Sequence, residues 1–453
     1  MDTTIFKAYD IRGIYPSQLN EEFAYELGRG YATFILKNNI GAKNIVIGSD
    51  MRLSSPALKK ELIKGLIDSG LNVIDIGLAS TPTFYFAVAY YNYDGGIQVS
   101  ASHNPKEHNG FKMVQEKASP ISKNTGIFAI RDIMLKERFI NVDKKGKVIK
   151  KDGVLSDLLK IQLSNIDISK IKKFKIIIDA ANSMGALDME EFFRRVPADL
   201  VKINFKLDGS FPSHEADPLK EENLELLKEK VIENEADFGI APDGDGDRYF
   251  FVDEKGNSLR QEILRGIMAQ IELKDNSGAA VCYDIRPGRI TKNMIDEAGG
   301  KAIITPVGHS LIKEVMIENS AIFGGESSGH YFYKRQYGTF EMPIILLAKF
   351  LKFLSEKDTA FSEVVKPYQK YFHSGEINMR VKSVSKKLKE IEKKYSDGKI
   401  IKIDGITVEY PDWWFNVRGS NTEPVIRLNL EAKTKKVMLE KKEELIKIVN
   451  NSK

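Results

Sequence analysis

Three aspartates lie within one short stretch, APDGDGDRYF (241–250). Asp243, Asp245 and Asp247 are separated by single glycines, which let the backbone bring their like charges close together. The only cation in the stretch is Arg248, and one positive charge does not balance three negative ones. Carboxylate oxygens are the ligands that Mg²⁺ and Ca²⁺ prefer. The stretch therefore predicts a divalent metal site, with a plain polar turn between two strands as the alternative.

A calcium-binding helix–loop–helix fits this stretch poorly. Such a loop needs glycine at its sixth position, and counting from Asp243 that position is Arg248. The flanking runs DFGIAP and YFFVDE are typical of strands rather than helices. We therefore expect a catalytic magnesium site.

A serine follows a strand-like run in VSASHNPKEHNGFK (99–112). Active sites of open α/β sheets lie at the carboxyl ends of strands, which makes Ser102 a candidate. A capping serine in an Asx-Pro turn is the alternative interpretation. We expect no catalytic pair between Ser102 and His103, because adjacent side chains in an extended run point to opposite sides.

The stretch FGGESSGHYF (323–332) contains G-x-S-x-G, the nucleophile elbow of serine hydrolases. That motif leads into a helix, whereas HYFYKRQYG does not resemble a helix start. Only His330 and His373 follow it in the chain. The alternative is that Glu326 and Ser328, presented on a glycine-rich loop, bind vicinal hydroxyls of a sugar.

A fourth polar stretch, NVRGSNTEPVIR (416–427), combines a guanidinium, hydroxyls and an amide. This composition suits phosphate binding without catalysis, although an ordinary turn has the same residues. The candidate ligands are Arg418, Ser420, Asn421 and Thr422.

The elements that position these stretches repeat along the chain. A strand at 44–50, a helix at 54–70 with a capping serine near its start, and strands at 72–77 and 95–102 predict a largely parallel α/β sheet. The polar run 142–153 predicts a linker or surface hairpin. The pattern restarts twice, with strands predicted at 174–182, 199–204, 237–243, 279–284, 301–307 and 321–325 and helices between them. From about 374 the pattern is a strand, a helix, three strands (KIIKIDG, ITVEY with WWFNV, and VIRLNLEA) and a lysine-rich helix, which indicates a small α+β domain.

Composition restricts the class of protein. The chain has 453 residues, with 68 basic and 63 acidic side chains and a net charge of +5, which does not favour nucleic-acid binding. The lone cysteine, Cys282, excludes an intrachain disulfide and lies in an apolar run that predicts a buried strand. The amino-terminal residues lack the pattern of a signal peptide, and no apolar stretch is long enough for a membrane span. We therefore expect a cytoplasmic protein without nucleic-acid or membrane partners.

Four stretches together resemble the signature loops of one family. VSASHNP, DGDGDR, GGESSGH and RGSNTEP, in this order, resemble those of the α-D-phosphohexomutases. FKAYDIRG (6–13) and TPVGHSLIK (305–313) resemble the phosphomannomutase/phosphoglucomutase branch. The resemblance implies three related α/β domains with mixed sheets and a C-terminal α+β domain, arranged around a central cleft. The expected domains are 1–148, 149–253, 254–370 and 371–453, which carry the phosphoserine, metal, sugar and phosphate loops respectively.

The resemblance implies reversible phosphoryl transfer between positions 1 and 6 of mannose or glucose phosphate. Ser102 would carry the phosphoryl group, and hexose 1,6-bisphosphate would be intermediate and activator. Mg²⁺ would be held by Ser102, Asp243, Asp245 and Asp247. The further catalytic residues implied are His103, Lys112, Arg12 and Arg248. The substrate-binding residues implied are Arg286, His309, Glu326, Ser328, His330, Arg418, Ser420, Asn421 and Thr422.

The remaining alternatives are a phosphoglucosamine mutase and a sugar-phosphate binding protein without catalysis. The opening AYDIRG differs from the start expected of an amino-sugar mutase, and a mere binder does not need Ser102. Relatives often continue after the sugar loop into an acidic Asp-Gly element. Here KRQYGTFEMP follows, in which Glu341 is the only acid. A monomer or homodimer is expected.

Overall fold

The run Asn44–Ser49 forms a strand whose last five residues are buried, as in a sheet covered on both faces. The computed structural model that contains it describes residues 1–419 and 425–450. Two units can be separated in it: residues 1–259 with 329–362 (the first unit), and residues 260–328 with the chain from Glu363 onward (the second unit).

The first sheet combines parallel and antiparallel strands. Its elements are β1 (Ile11–Ile14), α1 (Glu21–Asn38), β2 (Asn44–Ser49), α2 (Ser55–Asp68), β3 (Asn72–Leu78), α3 (Thr81–Tyr90), β4 (Gly95–Val99), β5 (His108–Gln115), α4 (Ile127–Leu135) and β6 (Val148–Lys150). The strand order is β1-β5-β4-β2-β3-β6, and β5 runs antiparallel to both β1 and β4. The sheet is therefore mixed, as the family resemblance implied, rather than largely parallel.

Two local predictions in this sheet need correction. Ser54 makes no capping hydrogen bond to α2, because its Oγ accepts one from Asn109 Nδ2 at 2.8 Å instead. The run 142–153, predicted as a linker or hairpin, contains strand β6, which pairs in parallel with β3. All three β6 side chains are exposed, so the run gave no alternating apolar signal for a strand.

The second sheet ends in a tight antiparallel pair. Its elements are α5 (Val154–Leu163), β7 (Phe174–Asp179), α6 (Gly185–Phe193), β8 (Ala198–Ile203), α7 (Glu225–Glu233), β9 (Phe238–Pro242) and β10 (Tyr249–Asp253). The order is β10-β9-β7-β8, with β10 antiparallel to β9 and the other pairs parallel. The aspartate-rich stretch is the turn between β9 and β10.

The third repeat begins in the second unit with α8 (Gln261–Lys274), β11 (Ala280–Asp284), α9 (Arg289–Glu297), β12 (Lys301–Thr305), α10 (His309–Glu318) and β13 (Phe323–Gly325). Strand β11 lies between β12 and β13 and runs parallel to both. Cys282 is buried in β11, as predicted. The first unit contains the antiparallel pair β14 (Tyr331–Arg335) and β15 (Gly338–Glu341), followed by α11 (Pro343–Ser355).

The last part of the chain is an antiparallel sheet with two longer helices. Its elements are α12 (Phe361–Val365), β16 (Phe372–His373), β17 (Ile377–Arg380), α13 (Val384–Lys394), β18 (Lys399–Ile401), β19 (Ile406–Glu409), β20 (Trp413–Gly419), β21 (Val425–Ala432) and α14 (Lys435–Asn450). The order is β16-β21-β20-β19-β18, and β17 also pairs with β21. ITVEY and WWFNV, predicted as one strand, form β19 and β20, because the Pro411–Asp412 segment turns the chain between them.

Among the described residues, no helix combines the length and apolar character that crossing a bilayer requires.

Candidate active site

Ser102 lies just beyond the carboxyl end of β4 in a conformation that is unusual for serine. Its φ of 53° is in the left-handed region, and its side chain is buried. The prediction that Ser102 and His103 point apart is wrong, because it assumed an extended backbone. The left-handed residue instead brings Ser102 Oγ to 3.2 Å from His103 Nδ1.

The aspartate turn meets the Ser102 loop directly. Ser102 Oγ donates a hydrogen bond to Asp243 Oδ2 at 3.0 Å. Gly244 explains how the two loops approach so closely, since a Cβ there would lie 2.3 Å from the Ser102 carbonyl oxygen. Gly246 has a φ of +73°, so the turn also needs glycine for its backbone. The spacing glycines therefore bring three carboxylates to the serine.

Arg248 connects the serine, a histidine and the first carboxylate. Its Nε and Nη2 donate to Asp243 Oδ2 at 2.9 and 2.6 Å. The same Nη2 lies 3.4 Å from Ser102 Oγ and contacts His103 Nδ1. Arg248 is almost completely buried, so its charge acts on these groups with little screening by water.

A second cation, Lys112, was predicted for the site but not as a partner of the aspartates. Its Nζ, extending from β5, donates to Asp245 Oδ2 at 2.5 Å and to Asp247 Oδ2 at 2.8 Å. Three carboxylates thus face two cations. Thr81, which the sequence analysis missed, donates from Oγ1 to Asp245 Oδ2 at 2.5 Å. The available signal was a polar residue at the start of the helix that follows a strand.

Burial and charge shift the pKa values of these groups in opposite directions. Burial, with Asp247 and Asp245 beside it, raises the pKa of Asp243 despite the attraction of Arg248. Although burial opposes ionisation, Lys112 and His330 hold the pKa of Asp247 well below its ordinary value. Although burial also opposes the lysine charge, Asp245 and Asp247 hold the pKa of Lys112 well above its ordinary range. The Lys112–aspartate contacts are therefore ionic.

The three aspartates fit a divalent metal ion. They are buried, and one oxygen atom from each can be chosen so that the three lie within 4.8 Å of one another. Asp245 Oδ1 is buried, and no group in the described part of the chain makes a hydrogen bond to it. A buried carboxylate oxygen without a partner is unfavourable unless a cation or a donor reaches it. Hard oxygen ligands of this kind match Mg²⁺.

Two more predicted residues lie at the same loops. Arg12 extends from β1 and donates from Nη1 to Asn104 Oδ1 at 2.5 Å and to Ala101 O at 3.4 Å. Its Nε donates to Asp10 Oδ2 at 2.7 Å. His330, predicted with the sugar loop, belongs to the first unit, where its Nε2 lies 3.4 Å from Asp247 Oδ1.

In the second unit the predicted substrate-binding residue Arg286 contacts Asp284, at the end of β11. Arg286 pairs with Asp284 at 2.5 Å, and its Nη2 donates to Ser328 Oγ at 3.3 Å. Ser327 Oγ donates to Asp284 Oδ1 at 2.8 Å. The motif around Ser327 leads to strand β14 rather than to a helix, which does not match the nucleophile elbow of a hydrolase.

A glutamate links the sugar loop to the start of α10. Glu326 Oε1 accepts a hydrogen bond from the Gly308 N–H at 2.7 Å, and His309 is the first residue of that helix. Arg286 Nη2 lies 3.8 Å from the same Glu326 oxygen. The structure thus brings Arg286, Glu326 and Ser328 together, with His309 next to Gly308. Asp284, which orients Arg286, was not found from the sequence, although it too ends a buried strand.

Arg418, at the end of β20, is paired with a residue that the sequence analysis did not single out. Its Nη2 donates to Glu376 Oε2 at 2.7 Å, and Arg427 Nη1 lies 3.6 Å from Glu376 Oε1. Although burial raises it, the pKa of Glu376 is held below its ordinary value, chiefly by Arg418. The other predicted phosphate ligands, Ser420, Asn421 and Thr422, lie outside the described residues.

The whole chain matches one family of known proteins. Four domain models match in order: phosphoglucomutase/phosphomannomutase alpha/beta/alpha domain I over residues 3–141, domain II over 155–256, domain III over 262–371 and the C-terminal domain over 376–448.

Individual relatives cover nearly all of the chain. A phosphomannomutase of Vibrio cholerae is 38% identical, with 99% of this chain and 98% of the relative covered. A phosphomannomutase of Methanocaldococcus jannaschii is 39% identical, with the same coverage. The crystal structure of a phosphoglucomutase/phosphomannomutase family protein from Burkholderia thailandensis has a TM-score of 0.91 and 30% identity, covering 100% of this chain and 99% of that one.

Proposed function

The chain belongs to the phosphoglucomutase/phosphomannomutase family, and from this premise we propose that it moves a phosphoryl group reversibly between positions 1 and 6 of mannose or glucose phosphate. The observation that carries the proposal is the contact of Ser102 Oγ with Asp243 inside a cluster of three buried aspartates. A nucleophile facing carboxylates is suited to phosphoryl transfer once a divalent cation is present. A hydrolase would need a general base at Ser327 instead.

In the proposed reaction Ser102 is a phosphoserine. The bond between phosphorus and Ser102 Oγ breaks as a bond forms between phosphorus and a sugar hydroxyl oxygen. In the net balance, the proton that this hydroxyl loses ends on Ser102 Oγ. The product of this half is a hexose 1,6-bisphosphate. After turning around, it returns its other phosphoryl group to Ser102 Oγ, and the second hexose monophosphate leaves. Both halves are reversible, so a trace of bisphosphate activates enzyme whose serine is unphosphorylated.

We assign Mg²⁺ to Asp243, Asp245, Asp247 and the Ser102 phosphoryl group. Lys112 and Arg248 leave the three aspartates with one uncompensated negative charge, and a phosphoserine would add about 1.5 to 2 more. A bound Mg²⁺ would neutralise most of this excess and polarise the phosphoryl oxygens.

Charge and tautomer suggest the roles of the remaining groups. Lys112 stays protonated between two aspartates, so it stabilises negative charge rather than accepting a proton. Burial and Arg248 hold the pKa of His103 well below its ordinary value, so its ring is neutral. Because Arg248 donates to Nδ1, the proton of that ring is on Nε2, and His103 can donate to a substrate oxygen. Arg12 binds the same phosphoryl group.

We further propose that Glu326 and Ser328 bind sugar hydroxyls, with Arg286, His309 and His330 as further ligands of the substrate. Arg418, Ser420, Asn421 and Thr422 bind the phosphate that is not reacting. A guanidinium suits this task because it offers two parallel donors to a phosphate. The domain boundaries 148/149, 253/254 and 370/371, and a monomeric or homodimeric state, stay predictions.

Phosphorus NMR tests the proposal. The protein is incubated with Mg²⁺, a trace of glucose 1,6-bisphosphate and, separately, the 1-phosphates of mannose, glucose and glucosamine. We expect 6-phosphates from mannose and glucose. Conversion of the glucosamine compound alone would assign the chain to the amino-sugar mutases. Release of inorganic phosphate, or no conversion of any sugar, would contradict a mutase.

A further inference from the structure

An arginine outside all the predicted loops holds the backbone of the Ser102 loop. Arg52 lies between β2 and α2 and is 1% exposed. Its Nη1 donates to the carbonyls of Pro105 at 2.7 Å and His108 at 2.9 Å. Its Nη2 donates to the carbonyls of Ser102 at 2.8 Å and Asn104 at 2.5 Å. One guanidinium thus donates hydrogen bonds to four carbonyl groups of a single loop.

This arrangement explains how the loop keeps an unfavourable conformation. Ser102 is left-handed, which costs free energy for a residue with a side chain. Four hydrogen bonds to the surrounding carbonyls offset that cost only if their donors stand at fixed angles. The planar guanidinium of Arg52 has that geometry, whereas an ammonium group has three donors on a flexible stem.

Arg52 is itself held from two sides. Asp50 accepts a hydrogen bond from the Arg52 backbone N–H at 3.0 Å, and its other oxygen lies 3.3 Å from Nε. The ring of Phe211, from the second sheet's region, lies against the guanidinium with 5.1 Å to the centroid. Gly209 approaches the backbone of Met51 so closely that a Cβ would lie 2.6 Å from its carbonyl oxygen.

The segment that carries Gly209 and Phe211 also reaches the aspartate turn. Further along it, the Ala216 carbonyl accepts a hydrogen bond from the Gly244 N–H at 3.0 Å. Gly244 is the residue that faces the Ser102 carbonyl. We call residues 209–216 the brace, because they contact both Arg52 and the aspartate turn.

We propose that Arg52 is a positioning residue for phosphoryl transfer, which fixes the Ser102 carbonyl and thereby places Oγ against Asp243, and that the brace aligns the aspartate turn with it. The inference rests on the proposed function, since it concerns the same transfer. Within the Ser102 loop, Arg52 contacts backbone atoms only. We therefore expect it to act on the alignment of the reacting atoms and not on the binding of the sugar.

Arg52→Lys tests this, with Arg29→Lys as the matched control. Like Arg52, Arg29 donates from its guanidinium and lies over an aromatic ring, but it is on α1, its acceptor is the Asn141 side chain and its ring is Phe139. We expect kcat of Arg52→Lys, per folded molecule, to fall about 100-fold with KM within about threefold of wild type, because misplacement by about 1 Å costs that much in rate. The rate of Ser102 phosphorylation by glucose 1,6-bisphosphate should fall by the same factor. Arg29→Lys should match wild type in both.

Two variants cover a failure of Arg52→Lys to fold. In Arg52→Gly, added guanidinium ion should restore part of the lost kcat, whereas it should leave the kcat of Arg29→Gly unchanged. Phe211→Leu leaves all four Arg52 hydrogen bonds possible but removes the aromatic ring that packs against the guanidinium. We expect its kcat to fall severalfold at unchanged KM.

A wild-type kcat in Arg52→Lys and Phe211→Leu, or a loss that appears only in KM or in the folded fraction, would overturn the inference. Wild-type protein without mutase activity would instead contradict the proposed function, so the two failures are distinct.

Discussion

The hydroxyl of Ser102 donates a hydrogen bond to Asp243, with 3.0 Å between Oγ and Oδ2, although 141 positions separate the two residues. Ser102→Ala should therefore abolish turnover, because the phosphoryl group has no oxygen to which it can be transferred. We expect kcat to fall at least about 1000-fold, as for other lost nucleophiles. Labelled glucose 1,6-bisphosphate should no longer transfer its label to the protein.

The control for this variant is Ser69→Ala. Ser69 is also buried, but its Oγ donates only to the Gly65 carbonyl at the end of α2. This variant should keep wild-type turnover and labelling. Label on the Ser102→Ala protein would place the phosphoryl group on another residue.

Removal of divalent metal should abolish activity and lower stability together. The buried Asp245 Oδ1, to which no group in the described part of the chain makes a hydrogen bond, gains a partner when a cation binds. At a free Mg²⁺ concentration of 100 times Kd, binding should raise the free energy of unfolding by about 2.7 kcal/mol. Thermal unfolding during a Mg²⁺ titration after chelation measures this shift independently of turnover.

Asp245→Asn should weaken that stabilisation by Mg²⁺, whereas Asp132→Asn, in exposed surroundings on α4, should leave it unchanged. Equal stabilisation of both variants would argue that the metal binds elsewhere.

Lys112→Met should destabilise the protein without metal and increase its response to Mg²⁺. The substitution leaves Asp245 and Asp247 buried without their common cation. Removing one partner of a buried ion pair costs about 3 to 5 kcal/mol. Added Mg²⁺ should recover more of the free energy of unfolding than it adds to wild type, because lysine no longer competes for the carboxylates. Activity should stay low, since the positive charge beside the phosphoryl group is lost.

Lys202→Met is the comparison for that experiment. Lys202 pairs with Glu190 at 2.9 Å on the surface, and such pairs contribute at most about 1 kcal/mol. If both lysine variants lost the same small amount, Lys112 would not be an essential counter-charge.

Glu431→Gln should stabilise the second unit at alkaline pH. Burial raises the pKa of Glu431 to about 7, against an ordinary value of 4.5, while a hydrogen bond from Trp414 Nε1 partly opposes the shift. The folded form then binds the proton more tightly than the unfolded form, so stability falls as pH rises from about 4.5 to about 7. Above pH 7 the loss amounts to about 3 kcal/mol.

Glutamine cannot ionise and still accepts the hydrogen bond from Trp414, so the variant should lose this pH dependence. Both tryptophans are in β20, so their fluorescence during urea unfolding reports on this unit. The control is Glu409→Gln. Glu409 is on β19, next to the tryptophan strand β20, and pairs with Lys399 at the surface, so this variant should keep the wild-type dependence of stability on pH. If the stability of Glu431→Gln fell with pH as much as that of wild type, the ionisation of Glu431 would not be the cause of the pH dependence.

Sequence patterns predicted many of the helices and strands and the polar loops, because burial and loop chemistry are local. Strands β1, β5, β14 and β15 were not predicted, and the strand expected at 95–102 ends at Val99. The patterns could not bring Ser102 to Asp243 or Lys112 to Asp247, since contacts between distant segments depend on the order of strands in the sheet. The family resemblance grouped those residues instead.

The errors have physical causes of the same kind. The side chains of Ser102 and His103 were expected to diverge because an extended backbone was assumed, whereas φ of Ser102 is 53°. Arg52 escaped notice because an isolated arginine after a strand has no distinctive spacing, and its importance lies in four distant carbonyls.

The division of the chain between the units has a consequence for how the protein is made. Residues 329–362 belong to the first unit, but the ribosome must synthesise residues 260–328, which belong to the second, before them. The nascent chain therefore contains Ser102 and the aspartate turn well before it contains His330, β14, β15 and α11. Until these emerge, the first unit exposes surfaces that they later cover, and a chaperone that binds nascent chains would find its sites there.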